Sequence, residues 1–390
     1  MTAPRSYFDH AATTPLRPEA LEAMLPFLTD DFANPSGAHA ESRRARIALD
    51  DARDRIGDVL GVGPGDVVLT SGGTEADDLA VGGGWDGRAA EGPGGPAPTA
   101  VVCAAMEHHA VLRSCRALAS RTGAELRLVP TTGDGIVDLD GLAAACDGRV
   151  GLVSVMAVNN EIGTIQPLDA VAEIVARRSP GAVLHTDAVQ AVPWLDAAAG
   201  TAAADLVSLS AHKFGGPKGS GALVLRGGAR VRPRVEGGGQ ERGRRGGTPN
   251  VAGAVGMAAA LDATVSGREA TVARVAALRD RLGDGLAARV GGVVETGRRD
   301  DRVAGILHLR VEGTEAEALV ILLDRAGIAV SAGAACSSGA VEPSHVLQSM
   351  GLGAVESSSG VRFSLGVTTT EADVERALDC VPAAVERLRN

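Results

Sequence analysis

"LSAHKFGGPKGSG", residues 209–221, contains both lysines of a chain whose 38 basic residues are otherwise arginine. Where a bare positive charge is enough, this sequence uses Arg. A position that keeps Lys therefore calls for something a guanidinium cannot do, which is to give up a proton. A lysine amine starts from a pKa of about 10.4, and burial or a neighbouring cation lowers it until the neutral, nucleophilic amine is populated. Schiff-base formation is the usual chemistry of such a residue. The competing explanation is two chance survivors of an arginine-biased composition, and the surroundings decide between them. Lys213 directly follows "DLVSLSAH" (205–212), an alternating apolar run that reads as a β-strand. It therefore stands at the carboxyl edge of a sheet, where parallel sheets bind their ligands. Lys218 lies inside a Gly/Pro turn, a poorer base for a nucleophile. A phosphate-binding P-loop is excluded because Gly219, not Ser or Thr, follows Lys218.

Working outward, seven β-rich runs span residues 66 to 226: "DVVLTS", "AVVCAA", "ELRLVP", "VGLVSVMAV", "AVLHTDA", "DLVSLSA" and "GALVLR". Helical segments alternate with them, which predicts an α/β fold with a mostly parallel seven-stranded sheet flanked by helices. The helix over "AESRRARIALDDARDRIGDVLG" (40–61) is expected to bury Ile47, Ala48, Ala52, Ile56, Val59 and Leu60 and to turn its Arg and Asp residues to solvent. "GGGWDGRAAEGPGGPAPT" (82–99) reads as an exposed, flexible loop. Beyond about residue 250 the pattern changes to long helical stretches and then to strands "RVAGILHLR", "GIAVSAG" and "GVRFSLG". We expect a large domain over 15–258 and a smaller α+β domain over 259–390, joined by residues 1–14.

Composition narrows the function classes. Apolar residues make up 45% of the 390 positions and the net charge is −10, so nucleic acid and anionic membrane are poor candidates as main partners. The start of the chain lacks the apolar run of a signal peptide, and nothing reaches the ~20 residues of a membrane span, so a cytoplasmic protein is expected. Cysteines 103, 115, 146, 336 and 380 form no CxxC pair, and no Cys/His spacing suits zinc; reduced thiols and no metal are expected. Residues 226–247 carry seven arginines among glycines, a composition seen in RNA-binding tracts, but without interleaved aromatics.

Four more strand ends supply parts that match Lys213. "TSGGTEADDLA" places Gly73 and Thr74 at a helix start, where backbone N–H groups can cradle a phosphate. "HTDAVQAV" ends an apolar strand with Asp187, a carboxylate that needs a cationic partner there. "EHHAVL" offers His108, and "VNNEIGTIQP" offers two amides. Each alone could be a turn or cap residue. Together, a phosphate cradle, a buried Asp, an imidazole and an imine-forming Lys are what pyridoxal phosphate requires.

With these parts in this order, the sequence resembles the cysteine desulfurases of the class V aminotransferase group, which have the fold type I pyridoxal-phosphate architecture. The resemblance runs from "FDHAATTPLRPEAL" and "NPSGAH" through the motifs above to "GGGQERGRRGGTPN", "SAGAACSSG" and "VRFSLG". It implies that Lys213 is the covalent tether and the base that moves the substrate Cα proton. Asp187 would hold the pyridinium nitrogen and Gln190 the phenolic oxygen, with His108 stacked on the ring. Thr74, beside Gly73, would bind the phosphate together with Ser210 and His212. Thr248 would reach the phosphate of a neighbouring subunit, implying a homodimer with shared active sites. Asn160 and Arg362 would take the substrate carboxylate, with Asn160 also close to the cofactor. Cys336, in a loop of small and polar residues expected to be mobile and exposed, would attack the sulfur of L-cysteine. L-alanine and a persulfide on Cys336 would result, the sulfur passing to an iron-sulfur scaffold or thiolation protein. The long "CSSGAVEPSHVL" loop resembles the longer-loop subgroup. One departure is Asp78, where the family commonly has Asn; facing inward it would weaken cofactor binding, and facing solvent it would be harmless. Selenocysteine lyases and other enzymes of the fold share Lys213, Asp187 and His108, so the Cys336 loop alone separates them. A chain that has lost catalysis and acts as a scaffold is the remaining alternative.

Overall fold

The computed structural model describes residues 5–89, 97–333 and 343–390. A short strand, β1 (Ser6–Tyr7), precedes the seven that build the main sheet: β2 (Val67–Thr70), β3 (Ala100–Ala104), β4 (Glu125–Val129), β5 (Val150–Ser154), β6 (Val183–Asp187), β7 (Leu206–Ser210) and β8 (Gly221–Leu225). Their spatial order is β2-β8-β7-β6-β5-β3-β4, and only β8 runs against the others. The carboxyl ends of β2, β3, β5, β6 and β7 therefore share one edge. Strands β3, β5, β7 and β8 are buried along their whole length. Helices on both faces are the reason: Ala100, Val102 and Ala104 join the same core as residues of helices Ala40–Leu60 and Val251–Ser266, whereas Val101 and Cys103 pack on helix His109–Thr122.

Two sequence expectations are corrected. The segment read as a loop from residue 82 is helical as far as Ala89, running from Gly73–Asp78 through a wider turn at Leu79–Gly83 into Gly84–Ala89. Its glycines are there for close packing, not for flexibility. A Cβ at Gly84 would lie 2.8 Å from Leu206 Cδ1, and one at Gly87 would lie 2.1 Å from the Arg230 carbonyl oxygen. Trp85, between them, is buried. In helix Ala40–Leu60 the buried stripe is Ala45, Leu49, Ala52, Ile56 and Leu60, while Ile47 is 60% exposed. Arg53 is drawn inward as well, because the Glu241 carboxylate meets its guanidinium at 2.9 and 3.1 Å and also accepts from Leu69 N. Glu241 and Arg242 both have positive φ, 49° and 58°, so this buried pair holds a turn that non-glycine residues rarely adopt.

After residue 266 come helix Arg268–Arg289 and strands β9 (Val293–Glu295), β10 (Ile306–Val311), β11 (Ile328–Ala329) and β12 (Gly360–Ser364), with helices Ala316–Arg325 and Glu371–Arg389. Strands β9, β10 and β12 form an antiparallel sheet, and β11 pairs in parallel with β1. A second core gathers here, including Phe8, Leu282, Leu307, Leu323 and Phe363, and Trp194 packs against both cores. Among the described residues no helix is long and apolar enough to cross a membrane, and Cys103, Cys115, Cys146 and Cys380 are free thiols.

Candidate active site

Five strands that end on the shared edge, β2, β3, β5, β6 and β7, contribute turns to one cavity. Beyond β2, Gly72 takes φ 149°, a conformation for glycine. At Gly73 a Cβ would sit 3.0 Å from Val189 Cγ2 and 3.3 Å from Ser210 Cβ, so the backbone there lies against the ends of β6 and β7. Glu75 secures this turn. It accepts from Ser71 N at 2.8 Å and from Arg245 Nε at 2.7 Å. Asp78, one helical turn on, faces away from the cavity; it accepts from Ser114 Oγ at 3.2 Å and Arg234 Nε at 3.0 Å.

Beyond β3, His108 caps helix His109–Thr122, its Nδ1 accepting from Ala110 N at 3.2 Å. Burial, and then the Lys213 charge, push the imidazole down to about 4, so it is neutral at physiological pH with its proton on Nε2. Beyond β5, the buried Asn159 side chain accepts from Glu161 N and Ile162 N at 2.9 and 3.0 Å and donates to Met106 O. That turn fixes Asn160. β6 ends in Asp187, 5% exposed, which accepts from Val189 N at 2.8 Å. Burial pushes its carboxyl up to about 6, and the Val189 N–H and the Lys213 charge oppose that rise. Gln190 follows and donates to Ala11 O at 2.8 Å.

A single tight turn, Ala211–Lys213, separates β7 from the lysine. Lys213 Nζ donates to Ala11 O at 2.6 Å and Ala12 O at 2.8 Å, while Lys218 is exposed and outside the cavity. Ser210 is buried, and His212 Nδ1 lies 3.1 Å from Thr13 Oγ1 with its imidazole pushed down to about 4, chiefly by burial. From β12, Arg362 enters at 3% exposure, donating to Asn160 O and to Asp9 Oδ1, both at 2.8 Å.

The result is a cavity of about 320 Å³ lined by Gly73, Thr74, His108, Asn160, Asp187, Gln190, Ser210, His212, Lys213 and Arg362. Thr248 is not among them. It lies in a separate hollow with Ser71, Ser220 and Arg245. Cys336 lies outside the described residues, but its flanks are at the cavity: Gly333 lines it, and Ser344 donates to Glu161 at 2.6 Å, next to Asn160. The sequence reading missed the carbonyls of Ala11 and Ala12, the Asp9 partner of Arg362, and Asp77, which also lines the cavity. Nothing in a short N-terminal stretch signals that its carbonyls will meet a lysine some two hundred residues away.

These residues fit pyridoxal phosphate. The hydroxyls of Thr74 and Ser210, the imidazoles of His108 and His212, the helix start at Gly73, the buried Asp187 carboxyl and the Lys213 amine line one cavity. The glycine at that helix start is required by the close approach of Val189 and Ser210, and a helix start is where backbone N–H groups can receive a phosphate.

The family model described as Aminotransferase class-V matches residues 6–377. An IscS-like cysteine desulfurase of Mycobacterium tuberculosis is 45% identical over 388 residues, spanning 98% of this chain and 97% of that protein. Among solved structures, a NifS-like protein superposes with a TM-score of 0.90 at 32% identity, covering 98% of this chain and all 100% of its own. SspA, solved in complex with cysteine, superposes at 0.80 with 30% identity over 94% of this chain and 100% of its own. With a family model spanning nearly the whole chain and cysteine desulfurases related to it end to end, the chain belongs to the class V aminotransferases and is one of their cysteine desulfurases.

Proposed function

We propose that the chain removes sulfur from L-cysteine with pyridoxal phosphate held in this cavity, Lys213 as its tether and Cys336 as the sulfur-accepting nucleophile. The observation that carries the reading is the convergence of five strand ends and β12 on the Lys213 amine. Thr74, Ser210 and His212 bind the phosphate, with the N–H groups at Gly73 beside them. Asp187 pairs with the ring nitrogen, Gln190 donates to the phenolic oxygen, and the neutral His108 ring stacks on the cofactor face. Bound there, pyridoxal phosphate supplies a sink for the electron pair released at the substrate Cα.

The chain's own groups do the rest. Arg362 is oriented by Asp9 and the Asn160 carbonyl, and with Asn160 it grips the substrate carboxylate. Lys213, once its amine is free, moves the Cα proton, and the Ala11 and Ala12 carbonyls define where that amine sits. The Cys336 thiolate attacks the substrate sulfur. The new S–S bond forms as the Cβ–S bond breaks, its electron pair goes to carbon, and protonation there completes L-alanine. His108, with its proton on Nε2, is placed to deliver or collect protons in these steps.

The same proposal takes Thr248 as a phosphate ligand of a second copy's site, so the working unit is a homodimer. The persulfide sulfur passes to a protein acceptor, an iron-sulfur scaffold or a thiolation protein, in the cytoplasm. We assign residues 15–258 to a cofactor-binding domain and 259–390, with 1–14, to a domain carrying the Cys336 segment. Sulfide and alanine release from L-cysteine by Cys336→Ala is the test. Persulfide turnover is expected to be lost in this variant; release of sulfide at the wild-type rate would sink the assignment.

A further inference from the structure

β2 stands at one end of the main sheet and pairs only with β8, so the far edge of the strand presents its N–H groups to whatever covers it. Two carboxylates cover it. Glu241 accepts from Leu69 N at 3.0 Å and Glu75 from Ser71 N at 2.8 Å. Each carboxylate is met by an arginine, Arg53 on Glu241 and Arg245 on Glu75. Glu75 also accepts from Ser71 Oγ, and it takes Arg245 in bidentate fashion, Nε to Oε1 at 2.7 Å and Nη2 to Oε2 at 3.2 Å. The Glu75 and Arg245 side chains are only 16% and 23% exposed, so removing either charge leaves the other short of a partner away from bulk water.

This pair joins two parts of the phosphate site. Ser71 opens the turn, with Gly72, Gly73 and Thr74 directly after it, and Arg245 stands three residues before Thr248. Ser71, Arg245 and Thr248 line one hollow of about 120 Å³. Thr248 itself is exposed, as a residue meant for a second copy has to be. The other anchors of its segment lead elsewhere. Arg244 donates to Gly65 O at 2.7 Å, Gly246 N to Val235 O at 2.8 Å, and Gly247 N to Gln240 Oε1 at 3.0 Å. Of these anchors only Arg245 reaches the phosphate turn.

We propose that Arg245 is a positioning residue for two phosphate sites: through Glu75 it fixes the Ser71–Thr74 turn of its own chain, and from the same anchor it sets where Thr248 stands for the second copy. Cofactor binding at the two sites of a dimer is then coupled through one ion pair in each chain. This deepens the cofactor and dimer readings above and rests on them for the identity of the phosphate and the role of Thr248, whereas the hold of Arg245 on the turn is testable without any cofactor.

Amide hydrogen exchange on the purified full-length chain, freed of any bound cofactor, reads that hold directly. Arg245→Ala is expected to speed exchange about tenfold across residues 71–74, and Arg244→Ala, in the same segment, is expected to leave it at the wild-type rate. Unchanged exchange in Arg245→Ala, or equal loss of protection in both variants, overturns the hold. The link between the two sites is read by titrating pyridoxal phosphate into the folded wild type, Arg245→Ala, Thr248→Ala and the double variant. Each single variant is expected to raise the dissociation constant about tenfold, the loss of one hydrogen bond to a charged group. Once Thr248 is gone, Arg245→Ala is expected to raise it by a further factor of only about three, because the own-chain part of its effect is all that is left. An undiminished effect in the Thr248→Ala background, or none there, overturns the double role. If Thr248→Ala alone changed nothing, the shared site and the double role would fall together. If the wild type bound no pyridoxal phosphate, the cofactor reading would fall while the exchange rates still decided whether Arg245 holds the turn.

Discussion

Five of the eight histidines, His10, His108, His185, His212 and His308, have their imidazoles pushed down by burial to between about 3 and about 4. In the unfolded chain these rings take up protons as the pH falls through about 6.5, while in the folded chain they stay neutral until about 4. The unfolded state therefore binds more protons in that window, and the stability these rings contribute is present above 6.5 and lost as the pH falls toward 4. Asp187 acts in the opposite sense. Its carboxyl is pushed up to about 6 and its contribution is lost as the pH rises through that value. Asp77 and Glu107 act in the same sense as Asp187. The five rings outnumber the three carboxyls, so the cofactor-free protein should unfold at clearly lower denaturant at pH 4.5 than at pH 7. Equal midpoints, or a higher one in acid, would contradict this balance of buried charges.

At the scale of the element, helix Gly73–Ala89 shows why glycine misled the sequence reading. A run of Gly residues beside Trp85 reads as a breaker because glycine weakens an isolated helix by about 1 kcal/mol relative to alanine. Here the absent Cβ atoms are what let the helix press onto β7 and onto the backbone at Arg230. Propensity alone predicts that Gly87→Ala stabilises the protein. The 2.1 Å approach to the Arg230 carbonyl predicts the reverse, a loss of about 2 kcal/mol from overpacking that a denaturation midpoint can read. A stabilised variant would restore the loop reading. Helix Ala40–Leu60 was misread for a related reason. Periodicity found an amphipathic helix but could not see that Glu241, almost two hundred residues away, draws Arg53 inward, or that Ile47 is left outside.

Across the whole molecule, what was legible in the sequence was what the backbone itself encodes. The seven strands carry their own apolar runs, and each chemical residue sits within a few positions of a strand end, so Lys213, Asp187, His108 and Asn160 could be placed on one sheet edge from spacing alone. Groups supplied from far along the chain left no local signal: the Ala11 and Ala12 carbonyls on Lys213, Asp9 on Arg362, and the approach of Asp77 to the buried His185. The direction Asp78 faces was left open by the sequence. In place of the family's Asn it would weaken cofactor binding facing inward and be harmless facing outward, and its carboxylate meets Arg234, away from the cavity. The fold brings Lys213, one of the two amines that the arginine-rich composition spared, together with groups from far along the chain. The measurement that tests this most directly is the visible absorption spectrum of the purified chain with pyridoxal phosphate, before and after L-cysteine, in the wild type and in Lys213→Arg and Lys218→Arg. The account predicts a visible band in the wild type and Lys218→Arg that cysteine perturbs, and none in Lys213→Arg. A band that persists unchanged in Lys213→Arg, or that is absent from the wild type, would contradict it.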